Sequence, residues 1–157
     1  MLVFRNMARI LIVGFGNPLR ADDGLGWHIA KQLSDEHREE DVQVFALHQL
    51  TPEMAELASR SEVMLFIDAD CKGKPGTLSC EQIHPEPAAG QFSHELSPAT
   101  LLQLAKQLYG RTPAAYLLTI AGESFATGES LSPVVVKAIP ALKDRIKALI
   151  DDSRKAG

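Results

Sequence analysis

Ile10-Leu-Ile-Val-Gly-Phe-Gly-Asn-Pro-Leu-Arg-Ala-Asp-Asp-Gly-Leu-Gly26 sets the architecture of this chain. The aliphatic run from Ile10 to Val13 has no polar interruption, the pattern of a strand buried on both faces. Gly14 and Gly16 let the backbone turn where a side chain would clash. Asn17-Pro18 continues the turn, because proline fixes its own φ and keeps the preceding residue out of the helical region. Asp22, Asp23 and a helical pattern come next. A strand, a glycine turn and acids near a helix start place charge at the C-terminal edge of a sheet, where open α/β folds bind ligands.

The stretch is not a nucleotide site. A dinucleotide turn needs G-x-G-x-x-G, but the third glycine is replaced by Leu19. The following strand ends in Phe45-Ala46-Leu47-His48, without an acid for a ribose hydroxyl. Asp22 and Asp23 would repel a pyrophosphate. No G-x-x-x-x-G-K-[ST] phosphate loop occurs either. A blander role for the two acids is to match the positive end of a helix.

Downstream, Leu25, Ile29 and Leu33 recur at four-residue spacing, which predicts an amphipathic helix to about Glu40. Residues 42–47 form a second strand. Thr51-Pro52 reads as a helix start, with threonine capping and proline at the first helical position. Residues 63–67 are a third apolar strand, ending in Asp68-Ala69-Asp70. Residues 77–83 suggest a fourth strand, antiparallel because only a short turn precedes it. Residues 84–91 are rich in proline, alanine and glycine and read as loop. Ser97-Pro98 starts a helix, 115–121 is the last strand, and Ser132-Pro133 caps a final helix that Pro140 should kink. Alternating strands and helices predict an α/β fold: a three-layer α/β/α sandwich around a mainly parallel five-stranded sheet with one antiparallel strand.

With 157 residues and no internal linker or repeat, residues 1–157 read as one domain, with 1–6 as an extension. A composition 45% hydrophobic and 23% charged is that of an ordinary soluble protein. The formal net charge of −4 gives no electrostatic reason to expect nucleic acid or an anionic membrane as partner. No apolar stretch approaches the roughly 18 residues of a membrane span, so a cytoplasmic location is expected. Cys71 and Cys80 lack metal-type spacing and read as reduced structural thiols.

Chemistry concentrates in three places. Asp23 follows the first strand, Asp68 ends the third, and His94 stands just ahead of a helix start. In a parallel sheet, the loops after strands one and three emerge on one edge. A histidine near a helix N-terminus has its protonated form disfavoured and can ligate metal. Two carboxylates and an imidazole suit a divalent ion such as Ni²⁺, Mn²⁺ or Zn²⁺ and leave coordination positions open. Asp22, Asp70 and Glu95 are rival ligands. His48 borders the same edge and reads as a substrate contact, while His28 and His37 lie on a charged helix and read as solvated. Without a G-x-S-x-G elbow or H-E-x-x-H, serine-hydrolase and zincin chemistries fail for lack of their motifs. Spacing alone therefore stops at a metal-capable acidic cleft.

The segment Gly14-Phe-Gly-Asn-Pro-Leu-Arg-Ala-Asp-Asp-Gly-Leu-Gly26 closely resembles the N-terminal signature of the [NiFe]-hydrogenase maturation endopeptidases. The similarity extends to Ile67-Asp68-Ala69, to Ser93-His94 and to the order of elements, over residues 8–150. The resemblance implies a protease that removes a C-terminal peptide from the hydrogenase large-subunit precursor after nickel insertion, with substrate-borne nickel as a recognition element. Carried over position by position, it makes Asp23, Asp68 and His94 the metal-contacting residues. Asp23, and after it Asp68, is the expected general base, with aspartic-type and metal-assisted hydrolysis both open. Gly14, Gly16, Asn17, Asp22 and His48 are the expected substrate contacts, and a monomer is the expected state. Many relatives have a glycine-rich turn after the second strand, where this chain has His48-Gln49-Leu50-Thr51-Pro52. The competing readings are a nickel-binding accessory protein without peptidase activity and a generic α/β ligand-binding domain.

Overall fold

Alternation along Ile10–Phe15 (β1) sends Ile10 and Ile12 to one side and Leu11 and Val13 to the other, and all four are completely buried. A strand buried on both faces belongs in the middle of a sheet covered twice. The computed structural model, which describes residues 9–88 and 96–156, bears this out. The remaining strands are Val42–Leu47 (β2), Val63–Asp70 (β3), Leu78–Ile83 (β4) and Ala114–Ala121 (β5). Their order is β2-β1-β3-β5-β4, parallel throughout except for β4, which runs antiparallel to β5.

The helices are Leu25–Glu36 (α1), Met54–Ser59 (α2), Pro98–Tyr109 (α3) and Pro133–Ala156 (α4). From α1, Leu25, Ile29 and Leu33 join Val135, Leu142, Ile146 and Ile150 of α4 over the Ile10 and Ile12 face. Met54, Ala55 and Ala58 of α2 and Leu101, Leu102 and Ala105 of α3 cover Leu11 and Val13. The result is the expected three-layer α/β/α architecture. Among the described residues no helix is long and apolar enough to cross a membrane.

Topology then positions the site. The chain steps from β1 to β2 on one side, and β3 returns to the other side of β1. Between β1 and β3 the connections diverge, and a crevice opens beyond the C-terminal ends of those strands. The turn after β1 is tied down by Asp22, which is fully buried. Its Oδ2 accepts hydrogen bonds from the backbone N–H of Glu123 (2.8 Å) and Ser124 (3.0 Å) and from the Ser132 hydroxyl (2.7 Å). Its Oδ1 accepts from Ser132 N–H at 2.8 Å. Burial by itself would raise the Asp22 pKa, but the bonds from Ser124, Ser132 and Glu123 outweigh it and hold the carboxyl below its ordinary value.

Several boundaries differ from the sequence reading. The first helix stops at Glu36 rather than Glu40, with His37 extended at φ −114° and ψ 100°. After Leu33 there is no further apolar position to bury, and Arg38, Glu39 and Glu40 are exposed. Thr51 and Pro52 do not cap a helix. They form a turn in which Thr51 and Pro52 carbonyls accept from Met54 and Ala55 N–H, and α2 begins after it without a side-chain cap. Residues 68–70 continue β3 because its ladder with β5 runs on to Asp70 opposite Ala121. The Ser132 hydroxyl, expected as a helix cap, donates to Asp22 instead. Pro140 does lie inside α4. Ser97 caps α3 as expected, its Oγ accepting from Thr100 N–H, and Gly110 closes that helix at φ +73°.

Close backbone contact joins the sheet to α1. A Cβ on Gly14 would come within 1.9 Å of the Gly26 carbonyl oxygen, and one on Gly26 within 2.2 Å of the Ile67 oxygen. Gly26→Ala is therefore expected to cost roughly 3 kcal/mol in denaturant unfolding. Gly128→Ala, where a Cβ meets nothing within 4 Å, should stay within roughly 0.5 kcal/mol. Asp22→Asn sets an amide where four donors converge and is expected to cost about 2–4 kcal/mol at neutral pH. Because the folded carboxyl is held low, the wild type gains this stability above the unfolded value near 3.8 and loses it as pH falls through the folded one. Unfolding free energy measured against pH should show that acid limb reduced in the asparagine variant.

Candidate active site

Beyond β1 the backbone turns at Gly16, whose φ of +147° and contact with Asp23 exclude a side chain: a Cβ there would sit 1.9 Å from the Asp23 carbonyl oxygen. Asn17 organises the loop beyond it. Its Oδ1 accepts from Leu19 N–H at 2.9 Å, its carbonyl accepts from Arg20 N–H at 3.1 Å, and its own N–H donates to Asp23 Oδ2 at 2.8 Å. The first two bonds make a tight Asx-type turn. The third fixes the Asp23 carboxylate with a charge-assisted bond.

Ala21 lies at φ +48°, in the left-handed region that costs a non-glycine residue about 1–2 kcal/mol. Bonds on both sides hold it there. Ala21 N–H donates to Gly128 O at 2.7 Å, and Gly128 N–H donates back to Leu19 O at 2.9 Å. The bend falls just before the two acids of the motif, which have separate destinations. Asp22 turns into the protein toward Ser124 and Ser132, whereas half-buried Asp23 lines an open cleft.

That cleft has a volume of about 280 Å³. Phe15, Gly16, Asn17, Arg20 and Asp23 come from β1 and the turn after it, His48, Gln49 and Leu50 from the end of β2, Asp68 from β3, and Leu96 from the segment ahead of α3. Asp68 stands opposite Thr119 in the β3–β5 ladder, and its Oδ1 accepts from the Ala69 N–H at 2.8 Å. A carboxylate from the turn after β1 and one from the C-terminal part of its parallel neighbour β3 thus share one wall of solvent-accessible space. Such a pair can accept a proton from water or contact a cation.

Of the residues expected from the sequence, Gly16, Asn17, Asp23, His48 and Asp68 meet at this cleft. Gly14 and Asp22 do not. Gly14 is pressed against α1, and Asp22 is buried with all its bonds directed to the 123–132 segment. Asp22 is thus a structural anchor where a substrate contact was expected. His94 and the rival ligand Glu95 lie outside the described residues. Asp70 is spent on its own turn, accepting from Lys72 N–H. Among the described residues no three His, Cys, Asp or Glu side chains gather closely enough to hold a metal ion. Gln49 and Leu50 belong to the segment after the second strand that the sequence marks as a substrate contact, and the cleft residues that sequence reasoning missed are Phe15, Arg20 and Leu96. Arg20 had a signal: it lies within the turn that carries the acids.

No protein-family model and no curated protein sequence matches the chain. Solved structures do. The hydrogenase maturating endopeptidase HybD from E. coli superimposes with a TM-score of 0.71 at 24% identity, covering 92% of this chain and 93% of its own. The [NiFe] hydrogenase maturation protease HycI from Thermococcus kodakarensis KOD1 gives 0.68 at 22% identity, covering 98% and 99%. The hydrogenase 2 maturation peptidase from Thaumarchaeota archaeon SCGC_AB-539-E09 gives 0.64 at 25% identity, covering 90% and 97%. Over most of its length, then, this chain has the fold of the [NiFe]-hydrogenase maturation proteases.

Proposed function

We propose that this protein is an endopeptidase that removes the C-terminal peptide of a [NiFe]-hydrogenase large-subunit precursor after nickel insertion. The observation that carries the reading is the meeting of Asp23 and Asp68 in one cleft at the divergence of β1 and β3. It stands on a fold shared over most of the chain with maturation proteases. In this reading the protein acts as a cytoplasmic monomer of a single domain.

Nickel enters with the substrate. Two carboxylates with His94 as a third donor form a hard-to-borderline set suited to a divalent ion, yet too sparse to grip one tightly alone. An ion already held by the precursor completes its coordination from these side chains, so only a loaded precursor bridges to the cleft. The ion supplies recognition: it fixes the tail relative to the acids.

The chain's own groups perform the hydrolysis. Asp23, held by Asn17 N–H, is the first choice for the base that takes a proton from the attacking water, with Asp68 second. Gly16, Asn17 and His48 line the path of the peptide. With a nickel-loaded precursor, Asp23→Asn and Asp68→Asn are each expected to slow release of the C-terminal peptide by about 100-fold or more. His94→Ala should weaken precursor binding. Asp22→Asn, assayed where it remains folded, should retain most of the activity. Intact-mass kinetics on the precursor reads all four. Wild-type rates in both Asp23→Asn and Asp68→Asn would contradict the assignment. A wild type that binds nickel tightly and leaves the precursor mass unchanged would favour the accessory-protein reading.

A further inference from the structure

Proteolysis in this cleft has an electrostatic difficulty. As water adds to a peptide carbonyl, negative charge grows on the carbonyl oxygen, and here it grows beside the two carboxylates Asp23 and Asp68, against which the positive charge of the substrate's ion is already set. A positive group aimed at that oxygen is normally the largest single contribution to such a reaction. Arg20 is the permanently cationic side chain on the wall of the cleft.

The backbone of Arg20 is held firmly. Its N–H donates to Asn17 O at 3.1 Å, its carbonyl accepts from Asp23 N–H at 3.0 Å, and it bridges to Gly128. The strained Ala21 comes next and locks the direction of the chain. The Arg20 side chain, by contrast, is exposed, and its guanidinium makes no hydrogen bond or ion pair with another described residue. Arg9, Arg60 and Arg154 are spent on ion pairs with Glu62, Glu56 and Asp41, and Arg38, Arg111 and Arg145, which form no ion pair with a described residue, do not line the cleft. A fixed backbone carrying an uncommitted charge, beside two acids that do not capture it, is the arrangement of a group reserved for a ligand.

We propose that Arg20 is the electrophilic group of the reaction; this rests on the proteolytic reading above. Its guanidinium donates hydrogen bonds to the scissile carbonyl oxygen. Water oxygen bonds to the carbonyl carbon, and the water proton passes to the carboxylate base. The carbonyl π pair becomes an alkoxide held by Arg20. On collapse the C=O re-forms, the C–N bond breaks, and the amine leaves with the proton from the carboxylic acid. The same guanidinium then faces the newly formed C-terminal carboxylate, which the two acids alone would repel.

The test is steady-state kinetics of Arg20→Gln and Arg20→Lys on the nickel-loaded precursor, with thermal unfolding alongside. Arg20→Gln should lose about 100- to 1,000-fold in kcat while KM changes less than about threefold. Arg20→Lys keeps the charge without the planar fork and should fall between. Added guanidinium ion should restore part of the Arg20→Gln rate. Unfolding midpoints should match the wild type, because the side chain has no partner to lose among the described residues. A kcat for Arg20→Gln within about twofold of the wild type would overturn the proposal and leave the protease intact. So would a loss carried wholly by KM. A wild type that fails to cleave the precursor would remove the proteolytic reading itself.

Discussion

The structure around the cleft depends on one buried charge. Asp22 is a carboxylate without solvent contact, a state that costs several kcal/mol unless its oxygens are fully engaged. Four donors from Glu123, Ser124 and Ser132 engage them, and its own N–H donates to Ser124 O. This cluster fastens the turn after β1 to the segment leading into α4, two parts of the chain separated by 101 to 110 residues. The left-handed conformation of Ala21 is sustained by that fastening together with the exchange between Leu19, Ala21 and Gly128.

From this anchor comes the division of labour in Asp22-Asp23. Neighbouring acids with one environment would repel and perturb each other. Here one is committed to the interior and the other to the cleft, so the charge that builds the turn is separate from the charge that faces the ligand. Gly16 and the Gly14–Gly26 contact bring the two backbone segments close enough for Asn17 N–H to reach Asp23. The β1–β3 junction then sets Asp68 on the same wall. Chemistry at the sheet edge is thus an outcome of backbone proximity more than of side-chain packing.

Much of this was legible in the sequence. The uninterrupted apolar run at residues 10–13 and the similar one at 63–67 announced doubly covered strands, because burial on both faces tolerates no polar alternation. The short Gly-Lys-Pro-Gly turn after β3 announced the antiparallel neighbour. Asp23 and Asp68 were legible because one follows the glycine turn after the first apolar run and the other directly follows the third, and the direction of both strands was already clear. The fate of Asp22 was not, since its partners are more than 100 residues away and nothing local to Ser124 or Ser132 points back to it. For the same reason the Ser132 hydroxyl read as a cap. Helix ends were misplaced where local signals, such as Thr51-Pro52 or the charges after Leu33, lacked an apolar face to extend. His94 falls outside the described residues, so its place in the set rests on the sequence.

If an acidic cleft cleaves a tail presented by a metal that the substrate brings, metal loading must gate the cleavage. Intact mass spectrometry of a large-subunit precursor incubated with this protein, nickel-loaded and nickel-free side by side, tests this most directly. Loss of the C-terminal peptide from the loaded form alone is the predicted result. Cleavage of both forms would contradict nickel-gated recognition, and cleavage of neither would contradict the protease.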